Sequence, residues 1–159
     1  MTANRLYFAQ HGLAVDKTDD PARPLSKRGI TQTTLIAAQL HKSQEAISAI
    51  FHSGKLRASQ TAEIFAEYLS ISNVSAVEYL SPNYDALQTI EKLSNHSVLY
   101  IGHLPHLDKL IAQLLTGNEN MSIINFQNSA VLSLENDQTR YRIQAYITSD
   151  TLTFNLKDN

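Results

Sequence analysis

Cysteine is absent from all 159 residues of the chain. That excludes disulfides, thiolate zinc sites and a cysteine nucleophile together. Blocks of one charge are missing as well. Thirteen Lys+Arg stand against fifteen Asp+Glu, a net charge of −2, with no basic stretch to hold a nucleic-acid backbone. No apolar run reaches the ~18 residues of a membrane span. Met1-Thr2-Ala3-Asn4-Arg5 leads straight into a short strand-like run, so the reading includes no signal peptide and no membrane partner. Internal repeats, low-complexity segments and linkers are also lacking. Against these absences, 43% of the residues are hydrophobic and 18% charged, a composition that can bury a core. A chain of this length hides roughly 70% of its unfolded surface without covalent staples. We expect one domain over residues 1–159, in a reducing, cytoplasmic setting.

The pattern of elements points to an α/β fold. Leu6-Tyr7-Phe8-Ala9 reads as a short buried strand that stops at the polar Gln10-His11-Gly12. After a loop from Asp16 to Pro24, Ser26 is placed to cap a helix reaching about His41. Ile47 to Phe51 is a second strand, stopped by His52-Ser53-Gly54, and helical periodicity returns from Leu56 to Leu69. Val74 to Leu80 reads as a third strand, and Asp85 can cap a helix running to about Leu93. Val98 to Ile101 is a fourth strand ending at Gly102-His103, and Ile111 to Leu115 belongs to a helix closed by Gly117. Ala130 to Leu134 and Tyr141 to Ile147 read as a terminal hairpin. Buried strands alternating with amphipathic helices imply βαβ units, hence a three-layer α/β/α sandwich around a mostly parallel sheet.

Ligands of such sheets bind beyond the carboxyl ends of the strands. Three strands here end in polar turns: Gln10-His11-Gly12, His52-Ser53-Gly54 with Arg57 one turn on, and Gly102-His103. Imidazoles, a guanidinium and free backbone N–H groups in one crevice make an anion pocket whose natural guest is a phosphoryl group. His41 and His96 sit at polar element ends and read as structural, while His52 and His106 stay open. His11 and His103 stand out, because each follows a buried strand and neighbours a glycine. No His pair has a carboxylate at ligand spacing, so the reading assigns no metal and no cofactor.

The same stretches resemble the histidine phosphatase superfamily, the phosphoglycerate mutase-like fold, and within it the short SixA-type phosphohistidine phosphatase branch. The carrying residues are Leu6 to Gly12, Arg23-Pro24-Leu25-Ser26-Lys27-Arg28-Gly29, His52 to Ala62 with its Leu-Arg-Ala-x-Gln-Thr-Ala run, and Tyr100 to Pro105 with its Gly-His-x-Pro turn. The resemblance implies His11 as nucleophile, Arg57 as a phosphate-binding arginine, and His103 as the second active-site histidine. Arg23 and Ser53 are expected as further substrate contacts. Glu78 and Asp85 are the candidate general acids, Asp85 with a competing use as a helix cap. The expected partner is a phosphorylated protein bearing phosphohistidine, or else a small phosphorylated substrate.

Two departures stand out. The motif arginine before the nucleophile is Gln10 here. Gln10 is expected as a substrate contact, since its amide keeps a donor for a phosphate oxygen, but it forfeits roughly 1–2 kcal/mol of charge-assisted bonding, on the order of 5- to 30-fold in rate. It also removes a charge that would keep His11 neutral, so the sequence predicts a rate still rising with pH around 7. A weakly active or non-catalytic phosphoprotein-binding module is the matching alternative to an enzyme, and a small-molecule phosphomonoesterase is the other. The second departure is Gly54, where related sequences often carry proline; that is expected to affect only turn stiffness.

Overall fold

The computed structural model describes residues 4–94 and 97–152, so His96 lies outside the described residues. At its centre, β1 (Asn4–Gln10) and β4 (Val98–Gly102) pair in parallel. Both are apolar at successive positions because both faces are covered. Leu6 and Phe8 join Val98 and Tyr100 on one face, while Tyr7 and Ala9 join Leu99 and Ile101 on the other. The six-stranded sheet runs β3 (Val74–Ala76), β2 (Ala49–His52), β4, β1, β5 (Val131–Asn136), β6 (Tyr141–Ile147). The first four strands in this order are mutually parallel; β5 runs antiparallel to β1, and β6 antiparallel to β5.

Helices cover both faces, as expected for the three-layer sandwich. From α1 (Lys27–Lys42), Ile36, Ala37 and Leu40 pack onto the Tyr7–Leu99 face together with Ala58, Ala62 and Phe65 of α2 (Leu56–Leu69). On the opposite face, α3 (Ala86–Lys92) brings Ile90 and α4 (His106–Thr116) brings Leu107, Leu110 and Ile111 against Phe8 and Tyr100. Each large side chain so buried stabilises the fold by about 1.5–3 kcal/mol.

The entry to α1 is tied twice. Ser26 Oγ accepts from Gly29 N at 3.0 Å and donates to Leu13 O at 2.9 Å, so the cap also anchors the preceding loop. A Cβ on Gly29 would stand 2.2 Å from the Leu13 carbonyl oxygen, a backbone atom that cannot swing aside. Gly29→Ala is therefore expected to cost roughly 1–3 kcal/mol, as overpacking does, and to lower Tm by roughly 3–10 °C in a thermal melt.

Several boundaries differ from the sequence reading. The stretch from Val74 to Leu80 is not one strand: β3 stops at Ala76 and a 3-10 turn, Glu78–Leu80, follows. Glu78 therefore opens a turn rather than ending a strand. Leu80 is fully buried from that turn, which explains why the apolar run continues past the strand. The second strand is shifted, to Ala49–His52, and α4 begins at His106, directly after Pro105. Gly54 has φ +82°, a region proline cannot enter with its φ locked near −65°. Glycine at this turn thus sets the backbone path, and a proline would require a different turn rather than a stiffer one.

Register delivers the functional turns to one place. Gln10 pairs with Gly102 and His52 with Ile101, so His11, Ser53 and His103 leave three adjacent strands at the same edge.

Candidate active site

His11 is buried, 8% exposed, and both ring nitrogens have partners. Nδ1 lies 2.7 Å from Gly12 O, and Arg57 Nε donates to Nε2 at 3.2 Å. A carbonyl only accepts and a guanidinium only donates, so both contacts assign the same tautomer: a proton on Nδ1 and a lone pair on Nε2. The arrangement leaves Nε2 as the nitrogen of a neutral ring that carries the lone pair.

His103, 2% exposed, packs its ring 4.8 Å from that of His11, centroid to centroid. Its Nε2 meets Ser53 Oγ at 2.5 Å, and its Nδ1 is shielded without a partner. A bare lone pair is tolerated in the interior more readily than an orphaned N–H. The proton therefore belongs on Nε2, donated to Ser53, which leaves the serine hydroxyl proton free for an incoming oxygen.

Burial pushes the His11 imidazole down to about 4; the Gly12 carbonyl opposes this, and Arg57 and Arg23 add to it. Burial likewise brings His103 to about 3, helped by His11, Arg57, Lys55 and His106. This overturns the expectation that His11 titrates near neutrality for want of an arginine at position 10. Burial, with Arg57 and Arg23, already does what the missing guanidinium would have done. In an NMR titration the His11 ring should stay neutral from pH 8 to about 5; a midpoint near 6.5 would contradict this. Stability carries the same signature. His11, His103 and His106, the last held at about 4 chiefly by burial, bind protons near 6.5 only once unfolded. Stability contributed by the neutral rings is complete above about 6.5 and lost as pH falls toward about 4, so Tm should drop across that window.

The other expected residues separate. Arg23, at φ +51°, donates from Nε to Val15 O at 3.3 Å, and its charge acts on both His11 and Arg57. Gln10 lines a neighbouring cleft of about 320 Å³ with Leu13, Arg28, Gln32 and Asn128 among others, and its shielded Oε1 has no donor. Asp85 Oδ1 accepts from Gln88 N at 2.8 Å as the cap of α3, and its charge acts on His106. Among the described residues, no hydrogen bond joins Gln10, Glu78 or Asp85 to the side chains of His11, Arg57, His103 or Ser53. His52 and His106 prove structural. His52 Nδ1 accepts from Gly54 N at 3.1 Å, and buried His106 bonds Thr89 Oγ1 through Nε2 at 2.8 Å.

Sequence reasoning missed a second ring of residues that hold the His11 backbone. Asn128 Nδ2 donates to His11 O at 3.0 Å, and Ser129 N donates to Gln10 O at 3.1 Å. Thr33 and Ser129 join their hydroxyls at 2.7 Å, while Thr61 Oγ1 accepts from Gly12 N at 2.9 Å. The signal available was the polar Asn128-Ser129 pair set immediately before a buried strand at the functional edge.

Comparison with known proteins bears on the family and the fold. The family model described as histidine phosphatase superfamily (branch 1) matches residues 6–81. Phosphohistidine phosphatase SixA of Escherichia coli K12 is 30% identical over an alignment 143 residues long that covers 85% of this chain and 87% of that protein. A Picosynechococcus protein described as uncharacterized is 29% identical over an alignment 154 residues long that covers 91% of this chain and 92% of its own. Among solved structures, the protein histidine phosphatase SixA complexed with tungstate superposes with TM-score 0.78 at 28% identity, covering 93% of this chain and 99% of that one. Phosphoglycerate mutase from Bacillus anthracis, at 12% identity and TM-score 0.71 over 95% of this chain and 96% of its own, shares the fold. With a buried, neutral histidine facing an arginine at the strand ends, and a relative of this similarity along most of its length, the chain belongs to the histidine phosphatase superfamily as a SixA-type member.

Proposed function

We propose that the chain hydrolyses phosphohistidine on a protein, in a cytoplasmic setting, through a phosphoenzyme formed at His11. The observation that carries this reading is the sign of the charge around the reacting nitrogen. The charged side chains that shift His11 or His103 are all cationic: Arg57, Arg23 and Lys55. Such a pocket attracts a phosphoryl dianion, and no carboxyl group is among the groups that perturb His11 or His103, so it is poorly equipped to protonate an alkoxide. A phosphohistidine needs no such donor, because its imidazole leaves neutral once its other nitrogen carries a proton.

In the first step the Nε2 lone pair of His11 attacks phosphorus. An N–P bond forms as the substrate's P–N bond breaks, and the departing imidazole keeps the electron pair. Arg57 turns from Nε2 to the phosphoryl oxygens, joined by His103 Nε2–H, the Ser53 hydroxyl and Arg23 at the rim. The Nδ1–H bond to Gly12 O persists and stabilises the positive charge on the phosphorylated ring. In the second step water forms the O–P bond, the N–P bond returns its pair to Nε2, and both water protons end on the phosphate product.

The surroundings favour a protein over a metabolite. Leu56, just before Arg57, and Leu104, just after His103, are each 41% exposed. From Leu104 and Pro105 a groove of about 480 Å³, mixed in character, is lined by Ile123, Ile124 and Phe126 together with Asp108, Ser122 and Asn125. Exposed Leu56, Leu104 and Ile123 beside a charged pocket fit a macromolecular partner. A panel of a phosphohistidine-bearing carrier protein, phosphoramidate and p-nitrophenyl phosphate tests the reading. The carrier protein should exceed the phosphomonoester in kcat/KM by roughly 100-fold or more. Faster turnover of the phosphomonoester would assign a small-molecule phosphatase, and binding without turnover of any of the three would assign a binding module.

A further inference from the structure

We infer that the Thr61 hydroxyl is a positioning group, which ties the loop that orients the His11 imidazole to the helix backbone that carries Arg57. Thr61 is fully buried on α2, one helical turn after Arg57. Its Oγ1 donates to Arg57 O at 2.6 Å and accepts from Gly12 N at 2.9 Å. These roles are unambiguous: the carbonyl can only accept, the amide can only donate, and the hydroxyl has a single proton. Back-bonding of a threonine to the carbonyl four residues earlier is ordinary in helices. Here it leaves the remaining lone pair aimed at the loop that carries the nucleophile.

The consequence is a closed circuit. Gly12 O holds His11 Nδ1–H at 2.7 Å, Gly12 N is held by Thr61, Thr61 holds the backbone of Arg57, and Arg57 Nε returns to His11 Nε2 at 3.2 Å. Both faces of the same peptide unit pair are thus tied, one to the ring nitrogen that must keep its proton and one to the helix that aims the arginine. Breaking the Gly12–Thr61 link frees the Gly12 peptide to tilt, which loosens the Nδ1 contact and lets the ring rotate away from Arg57. Misplacement of about 1 Å at a reacting pair costs on the order of 100-fold in rate.

This inference rests on the phosphoryl-transfer reading for its kinetic arm, but not for its spectroscopic one. Thr61→Val removes the hydroxyl at nearly constant shape, and Thr61→Ser restores it. With phosphoramidate as substrate, Thr61→Val should lower kcat by roughly 10- to 100-fold with KM within threefold, and Thr61→Ser should recover kcat to within threefold of the parent. Nitrogen-15 spectra of the His11 ring, which need no turnover, should report the Nδ1–H tautomer in the parent and in Thr61→Ser, and a mixture in Thr61→Val. An unchanged ring spectrum in Thr61→Val overturns the inference whatever the rate does, and so does a failure of serine to rescue. If Thr61→Val does not fold, the Gly12 amide of the parent protein decides: strong protection from hydrogen exchange supports the tie, and exchange at the rate of an open loop refutes it. A parent protein that turns over none of the substrates yet has the Nδ1–H tautomer would sink the phosphatase reading and leave this one standing.

Discussion

His11→Gln is expected to lower turnover of a phosphohistidine protein by at least about 10³-fold while leaving the protein folded. The size follows from the role: without Nε2 there is no atom to receive the phosphoryl group, and loss of a covalent nucleophile removes the whole double-displacement path. The retained fold follows from position. His11 is held from the backbone, by Asn128 at its carbonyl and by Ser129 and Thr61 on either side, and none of those bonds uses the ring. Glutamine is chosen because its amide can meet Gly12 O or Arg57 in place of the imidazole. Circular dichroism melts alongside the rate measurement check both halves. More than a tenth of the parent rate in the folded variant would remove His11 from the nucleophile's place.

Arg57→Ala should cost about 10²–10³ in kcat, the usual effect of losing one preorganised donor to a developing charge. Vanadate, as a phosphoryl stand-in, should inhibit the variant far more weakly than the parent, and a chelator should alter neither protein. Arg57→Lys should recover only part of the loss, because an ammonium supplies charge without the fork that can span two phosphoryl oxygens. The variant carries a second consequence through His11. Arg57 is one of the two guanidiniums that help burial hold that ring neutral, so its removal should raise the His11 midpoint, with burial still keeping it below 6.5. Vanadate inhibition unchanged in Arg57→Ala would show that the anion sits elsewhere.

Much of the fold was legible because the two central strands are covered on both faces and therefore read as unbroken apolar runs. Leu6 to Ala9 and Val98 to Ile101 could hardly be anything else, and their ends located His11 and His103 by the general placement of ligands in such sheets. Ser26 and Asp85 were readable as caps because capping is local chemistry, completed within three residues. The extent of the third strand was not readable. Val77 and Leu80 continue the apolar pattern through a 3-10 turn, and a short apolar run cannot report which backbone presents it.

The site divides in the same way. Histidines next to glycines at strand ends announce themselves, but the electrostatic consequence of Gln10 did not follow from its identity. Position 10 faces a neighbouring cleft, and the depression of His11 comes first from burial, a property of the assembled layers rather than of one side chain. The ties on the His11 loop were hidden for a simpler reason. Thr61 reaches Gly12 across 49 positions of sequence and Asn128 reaches His11 across 117, so no local pattern contains either contact. The Gln of the same motif run, Gln60, likewise spends its side chain on Leu25 N at 2.7 Å, joining the loop before α1 to α2.

The central claim is that phosphate passes through His11, and trapping that intermediate tests it most directly. A phosphohistidine carrier protein labelled at phosphorus would be mixed with the enzyme and quenched with alkali within milliseconds, and the peptides analysed by mass. The label is expected on His11 at Nε2, stable in alkali and lost in acid, appearing at least as fast as phosphate is released. Release of phosphate with no label on the protein, or with label on a residue other than His11, would contradict the account.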